Sequence, residues 1–296
     1  MLFFDCGAKN HYNNKIFFIK RTIMAVSPPS KIKYLTNKDL LEEIHRSKST
    51  YCSYVDPLHA RYDFIVSNKS LITKKRVDDA RKKKLTEMQA IEKKENVSKG
   101  IKDFESKISI TDIPVDSIVI RVMTYDHIPI NIEKEGKAKT EGEKHIRCNF
   151  PPFQHYIMQE DGEIMCVLKS HWKGGLENGY FSKEHGKMTK NLALMFMKLV
   201  DRYGHRGNWR GYTYIDEMKS QALLQLSQVG LQFDESRSES PNPFAYYTQT
   251  ITNSFMRILN IEKKNQNIRD DILIMNGATP SWTRMVDNEI AQKKEP

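Results

Sequence analysis

No stretch of this chain is long and apolar enough to cross a bilayer. The longest apolar run, LALMFM at 192–197, falls far short of the roughly 20 residues that a membrane helix needs. Cysteine is scarce, with only Cys6, Cys52, Cys148 and Cys166 among 296 residues. That excludes a disulfide scaffold and favours a reducing compartment such as a cytoplasm. Catalytic signatures are missing as well: there is no HExxH, no phosphate-loop Gly-Lys-Ser/Thr and no GxSxG. The glycine-rich YGHRGNWRGY and KGGLENGY are not followed by Lys-Ser/Thr, so both read as turns. Residues 1–23 hold two short aromatic–apolar clusters split by polar residues, with no continuous apolar core, so a secretory signal is not expected. Met24 looks like a second start, and 1–33 is expected to be a flexible N-terminal tail.

Charge and length are what the chain does have. Charged residues make up 28%, and the net charge of +10 favours an anionic partner, although basic character alone does not specify nucleic acid. The length suffices for one large domain or two ordinary ones with a real core.

Periodicity changes along the chain. YLTNKDLLEEIHRSK reads as a short helix with Thr36 or Asn37 as its cap and Leu40, Leu41 and Ile44 on one face. Lys74 to Lys94 carries nine basic and four acidic residues, too few of them apolar for a broad buried stripe, so a solvated helix or a nucleic-acid-tracking helix is expected. These elements are grouped as 34–107. Residues 108–132 are rich in Ile and Val, and 155–172 holds two β-type runs split by Asp161-Gly162, a hairpin signal. We therefore expect a β-rich insert and linker at 108–187, with 173–187 as the linker.

Helical spacing returns at 189–203, where Leu192, Met195, Phe196 and Leu199 share a stripe, and at 214–233, where Met218, Ala222, Leu226 and Gly230 do. A third helix opens with Asn242 as cap and Pro243 in its first turn, and Phe244, Tyr247, Ile251, Phe255, Ile258 and Leu259 recur along it. Three such stripes with short links predict a compact helical bundle at 188–270, followed by a C-terminal tail at 271–296. The expected fold class is mainly α, with a small β-rich (α+β) inserted module.

Two kinds of site deserve weighing. His145, Cys148, Cys166 and His171 have spacings that could surround zinc, but scattered structural residues explain them equally, and no metal or other cofactor is expected. The third helix is more informative. Tyr246 and Tyr247 lie one turn in, Gln249, Thr250, Asn253 and Arg257 follow as a polar track, and Lys263 and Lys264 extend its basic end. Flat aromatic faces accept unstacked bases, while Gln, Asn and Arg pair with base edges or phosphate. The competing reading is an ordinary amphipathic helix whose tyrosine packs inward.

The run YIDEMKSQALLQLSQVGLQFDESRSESPNPFAYYTQTITNSFMRILNIEKK resembles region two of bacterial sigma factors, in particular the late-transcription sigma factors of T-even-type bacteriophages. GYT before the second helix, GLQFD closing it and NPFAYYTQ opening the third carry the resemblance, and YLTNKDLLEEI is similar to the family's N-terminal start. The resemblance implies no enzymatic activity but a division of labour. One face, at Glu217, Ser220, Gln221, Leu224 and Gln225, would dock on the coiled coil of the largest subunit of the host RNA polymerase core. The third helix would engage a minus-ten element of promoter DNA, with Tyr247, helped by Tyr246, receiving a flipped base, and Gln249, Thr250, Asn253, Ser254 and Arg257 lining the strand beside Lys263 and Lys264. A late coactivator and the sliding clamp are further implied partners, and the host bacterial cytoplasm the implied location. Thr250 and Ile251 stand where bacterial members have a tryptophan pair, Gln221 replaces an acidic residue, and the ending NEIAQKKEP lacks the family's apolar-acidic clamp-binding tail. Residues 56–187 have no counterpart in the family. The expected function is that of a phage sigma factor promoting late promoter recognition and melting. The alternatives are a stand-alone DNA-binding repressor and a metal-dependent nucleic-acid enzyme centred on 145–171.

Overall fold

The computed structural model describes residues 35–98, 108–238 and 240–292, so the expected N-terminal tail lies outside the described residues. In chain order the main elements are α1 (Asn37–Ser49), β1 (Cys52–Tyr54), β2 (Phe64–Val66), α2 (Lys74–Ser98), β3 (Val119–Met123) and the single turn α3 (Glu141–Lys144). They continue with β4 (Phe153–Met158), β5 (Ile164–Ser170), β6 (Trp172–Lys173), β7 (Tyr180–Phe181), α4 (Lys190–Gly204), α5 (Ile215–Val229), α6 (Pro243–Met275) and α7 (Trp282–Gln292). The mixture is α+β with a small mixed sheet. Two compact units are present: Tyr51–Gly186 forms one, and Thr36–Thr50 joins Lys187–Pro296 in the other.

In the helical unit three helix starts are fixed by a side-chain cap, whereas α5 begins after Tyr214 without one. Thr36 accepts from the Asp39 N–H, Thr189 from Leu192 and Asn242 from Ala245, with Pro243 in the first turn where its missing N–H costs nothing. The apolar stripes then close on one another. Leu40 and Ile44 of α1, Leu192, Phe196 and Leu199 of α4, Met218, Ala222 and Leu226 of α5, and Ile251 and Phe255 of α6 are all buried. Polar locks seat α1 in this unit. The Thr189 hydroxyl donates to Glu43 at 3.0 Å, and the Thr189 N–H donates to the Ser47 hydroxyl at 3.0 Å. The Thr50 hydroxyl lies 2.9 Å from both the N–H and the carbonyl of Lys187, so the chain leaves and re-enters this unit at one place. Domain insertion is tolerated at such closely spaced ends.

The sheet unit has strand order β1-β5-β4-β3-β2, antiparallel except for β2 and β3. Parallel neighbours need a crossover, and α2 supplies it. The hairpin at Asp161-Gly162 is as the sequence predicts, with Gly162 at φ +89°. Strands β1 and β2 are shorter than any periodicity could reveal, and much of 108–118 forms 3₁₀ turns rather than strand.

Three expectations change here. Helix α2 is not solvated all round: Val77 is buried and Ala80, Leu85 and Met88 pack on the sheet's core of Val66, Ile118, Ile120 and Val122. Its basic residues also serve the fold, since Arg81 donates to the Ile113 and Ile110 carbonyls (2.9 and 3.1 Å) and Lys84 to that of Ser117 (2.8 Å). The grouping 34–107 accordingly divides, with α1 in the helical unit and α2 in the sheet unit. At the other end, the described part of the expected tail, 271–292, begins as the end of α6 and continues as α7. Asp270 ties the α6–α7 turn, accepting from the Ser281 N–H at 2.8 Å and its hydroxyl at 2.6 Å, and these bonds hold its carboxyl below the usual carboxylate range.

Candidate nucleic-acid interface

Helix α6 sorts its residues by helical geometry, and the sorting corrects the expected DNA-contacting set. Tyr247 has 0% of its surface exposed. Its ring meets Phe196 edge-on at 4.7 Å, its hydroxyl donates to the Gly230 carbonyl at 2.7 Å, and burial pushes its phenol well above the ordinary value. A ring so placed cannot receive a flipped base. Tyr246 is half-buried against Phe233, with ring centroids 5.5 Å apart, so the pair forms no open platform. The inward-packing alternative wins for Tyr247 because positions 247, 251, 255 and 258 continue one stripe facing α4 and α5.

The small hydroxyls are also committed to the helix. Thr250 donates to the Tyr246 carbonyl (3.0 Å) and Ser254 to that of Thr250 (3.0 Å), with Ser254 buried and Thr250 half-buried. Such back-bonding satisfies a hydroxyl without an external partner. What remains outside is a ridge of Gln249, Asn253 and Arg257 at four-residue spacing, continued by exposed Lys263 and Lys264. Gln249 donates to the Asn253 side-chain carbonyl at 2.9 Å, which leaves an acceptor on Gln249 and two donors on Asn253 for another molecule.

On α5 the expected docking residues stay together. Glu217, Ser220 and Leu224 are exposed and Gln221 and Gln225 partly so, with Leu224 the apolar centre at 52% exposure. Sequence reasoning missed Leu194 and Met197, a second exposed apolar pair three residues apart on α4. The stripe count for α4 would have found them, because both fall outside the positions used by the core.

A second residue missed is Glu235, read as part of a polar turn in DESRSES. It is 4% exposed and accepts from Lys48, itself 3% exposed, at 2.8 Å, while His45 lies 3.2 Å from its other oxygen. Lys48 also donates to the Phe233 carbonyl at 2.7 Å. The segment that closes α5 is thereby pinned to α1. Gly230 is required there for space: a Cβ would stand 2.6 Å from the Phe196 ring.

The four candidate metal ligands do not converge. Among the described residues no group of three or more His, Cys, Asp or Glu could hold a metal ion. Cys148 points its thiol at the Ile146 carbonyl and Cys166 at that of Leu168, and burial pushes the Cys148 thiol up to about 11. Neither is primed to bind as thiolate. Among the described residues no helix is long and apolar enough to cross a membrane. No protein-family model, curated protein or solved structure matches the chain.

Proposed function

We propose that the helical unit is a sigma region-two module and that the protein is a phage-encoded sigma factor, binding host core RNA polymerase and directing recognition and melting of late promoters. The observation that carries this reading is the assembly of α1 with α4–α6. The stretches that resemble the family are separated by the whole sheet unit, yet 36–44 and 211–264 belong to one compact unit, in which the Phe244 N–H donates to the Asn37 side-chain carbonyl at 3.3 Å. An accidental likeness in two distant stretches has no reason to produce one shared core.

In this reading the Leu224 face of α5, with Glu217, Ser220, Gln221 and Gln225, docks on the coiled coil of the largest polymerase subunit. An exposed leucine ringed by polar side chains has the apolar-centre and polar-rim layout of a protein interface. The ridge of Gln249, Asn253, Arg257, Lys263 and Lys264 tracks the promoter strand: the two lysines neutralise phosphate, and the amides and guanidinium meet base edges. Tyr247 holds α6 against α4 and sets the height of that ridge; it does not stack on DNA. A late coactivator belongs to the same proposal, and so does the host bacterial cytoplasm as its setting.

The test is co-purification with core polymerase followed by permanganate footprinting of an A·T-rich late promoter. We expect thymine reactivity near the start site with the intact protein. Replacing Gln249, Asn253 and Arg257 together by Ala should abolish it while core retention persists; undiminished reactivity would remove the ridge from the account.

A further inference from the structure

The glycine-rich segment after β5 is a hairpin, not the linker that its composition suggests. Strands β6 and β7 pair Trp172 with Phe181 across it. The Trp172 indole N–H donates to the Gly175 carbonyl at 3.0 Å, and Lys169 closes the same loop by donating to the Leu176 carbonyl at 2.8 Å. Glycine at 179 is obligatory, because a Cβ would lie 2.4 Å from the indole nitrogen. The loop thus presses one indole into a fixed pose.

Beside that indole lies an open groove of about 480 Å³, within the range of small-molecule sites, whose lining includes Trp172, Phe181, Lys169, Gln154 and His127. The Lys169 ammonium sits 5.0 Å from the centre of the Trp172 ring. That cation covers one face of the indole, which leaves the other face and the ring edge to a ligand and favours an anionic ligand over a cationic one. His127 turns Nε2 toward the Ser170 carbonyl at 2.9 Å and stands edge-on to Trp172 at 6.4 Å. Its Nδ1 is buried with no hydrogen-bond partner among the described residues. With Nε2 donating, Nδ1 is an acceptor without a partner, buried beneath the groove surface rather than open to it. Gln154, nearly fully buried, accepts from the Tyr156 hydroxyl through its side-chain carbonyl and keeps its amide N–H groups to donate to an acceptor on a base edge. Asp126, exposed at the rim, repels phosphate on its side and leaves the Lys169 end for negative charge.

We infer that the groove of the sheet unit binds a nucleotide, with the base against Trp172 and Phe181, its edge toward Gln154, and its phosphate at Lys169. The site is independent of the sigma reading, since none of its residues belongs to the helical unit. The nucleotide can be one unit of a single strand or a free mononucleotide, and two arms separate these sources.

The experiment uses the full chain carrying Gln249→Ala, Asn253→Ala, Arg257→Ala, Lys263→Ala and Lys264→Ala, so that strand contact by α6 does not mask the groove. Fluorescence polarisation follows a labelled oligo(dT), with dTMP as competitor. Trp172→Ala is expected to weaken oligonucleotide binding about tenfold and Trp172→Phe to retain most of it, as stacking requires. Lys169→Gln should reduce the slope of log K against log salt by about one. An oligo(dT) bearing 5-iodouracil should crosslink to the peptide that contains Trp172 or Phe181. Binding of dTMP as tight as that of the oligonucleotide, and equally dependent on Trp172, identifies a free nucleotide as the ligand; a much weaker dTMP identifies a strand. Absence of binding by both probes, or unchanged binding in both Trp172→Ala and Lys169→Gln, overturns the inference, as does crosslinking confined to other peptides.

Discussion

Replacing Tyr247 by Phe separates a core tyrosine from a DNA-stacking one more cleanly than any larger change. The hydroxyl lies 2.7 Å from the Gly230 carbonyl and the residue is fully buried, so Phe removes one hydrogen bond and leaves an acceptor without its donor. That should cost about 1–2 kcal/mol of stability. Tyr247→Ala removes the ring that meets Phe196 at 4.7 Å and opens a cavity, for about 3–5 kcal/mol. Urea denaturation followed by far-UV circular dichroism reads both, with the slope unchanged and the midpoint lowered. The buried phenol adds a pH signature. Its folded pKa lies above the ordinary 10.0, so its contribution is present below pH 10 and is lost as pH rises through the folded value. Promoter-strand binding by folded Tyr247→Phe should equal that of the wild type, because nothing is removed from the surface. A Tyr247→Phe protein of full stability but impaired strand binding would refute this placement of the ring.

Two further outcomes follow from buried charge. Lys48→Met should destabilise by about 3 kcal/mol, the lower end for a broken buried pair because His45 still faces Glu235, and Lys48→Met with Glu235→Leu should recover most of it. A midpoint shift below about 1 kcal/mol for the single variant would show that the pair is solvated. In the sheet unit, burial lowers the His127 pKa from 6.5 to about 4, so the ring stays neutral in the folded protein. Its contribution is present above pH 6.5 and lost as pH falls toward 4, an effect of roughly 3 kcal/mol that His127→Asn should flatten in urea midpoints taken across that window.

How far the sequence carries can be judged residue by residue. Caps at Thr36 and Asn242 were legible because capping is local chemistry, and the stripes of α4, α5 and α6 because a single face of each is buried. The burial of Tyr247 was written in the same periodicity that placed Ile251 and Phe255, but the adjacent Tyr246 made the pair look like a platform. Helical spacing separates neighbours by about 100°, so the two tyrosines cross edge-on, 5.4 Å between ring centroids, and lie against Phe233 instead of forming one flat surface. Glu235 was illegible: its partner Lys48 lies far away in sequence, and only the long-range fold turns a polar turn into a buried ion pair. The β6–β7 hairpin was hidden by glycine, whose role there is to make room for the Trp172 indole. Strands β1 and β2, at three residues each, are too short for any period to register.

The most direct measurement is retention of host core RNA polymerase on the immobilised protein, comparing wild type with Leu224→Asp plus Gln225→Asp. Both positions lie on the outer face of α5, Leu224 half exposed, so the variant should melt as the wild type does. Wild-type retention of core, lost in this variant alone, is the result expected of a sigma region-two module. Equal retention by both proteins, or none by either, contradicts it.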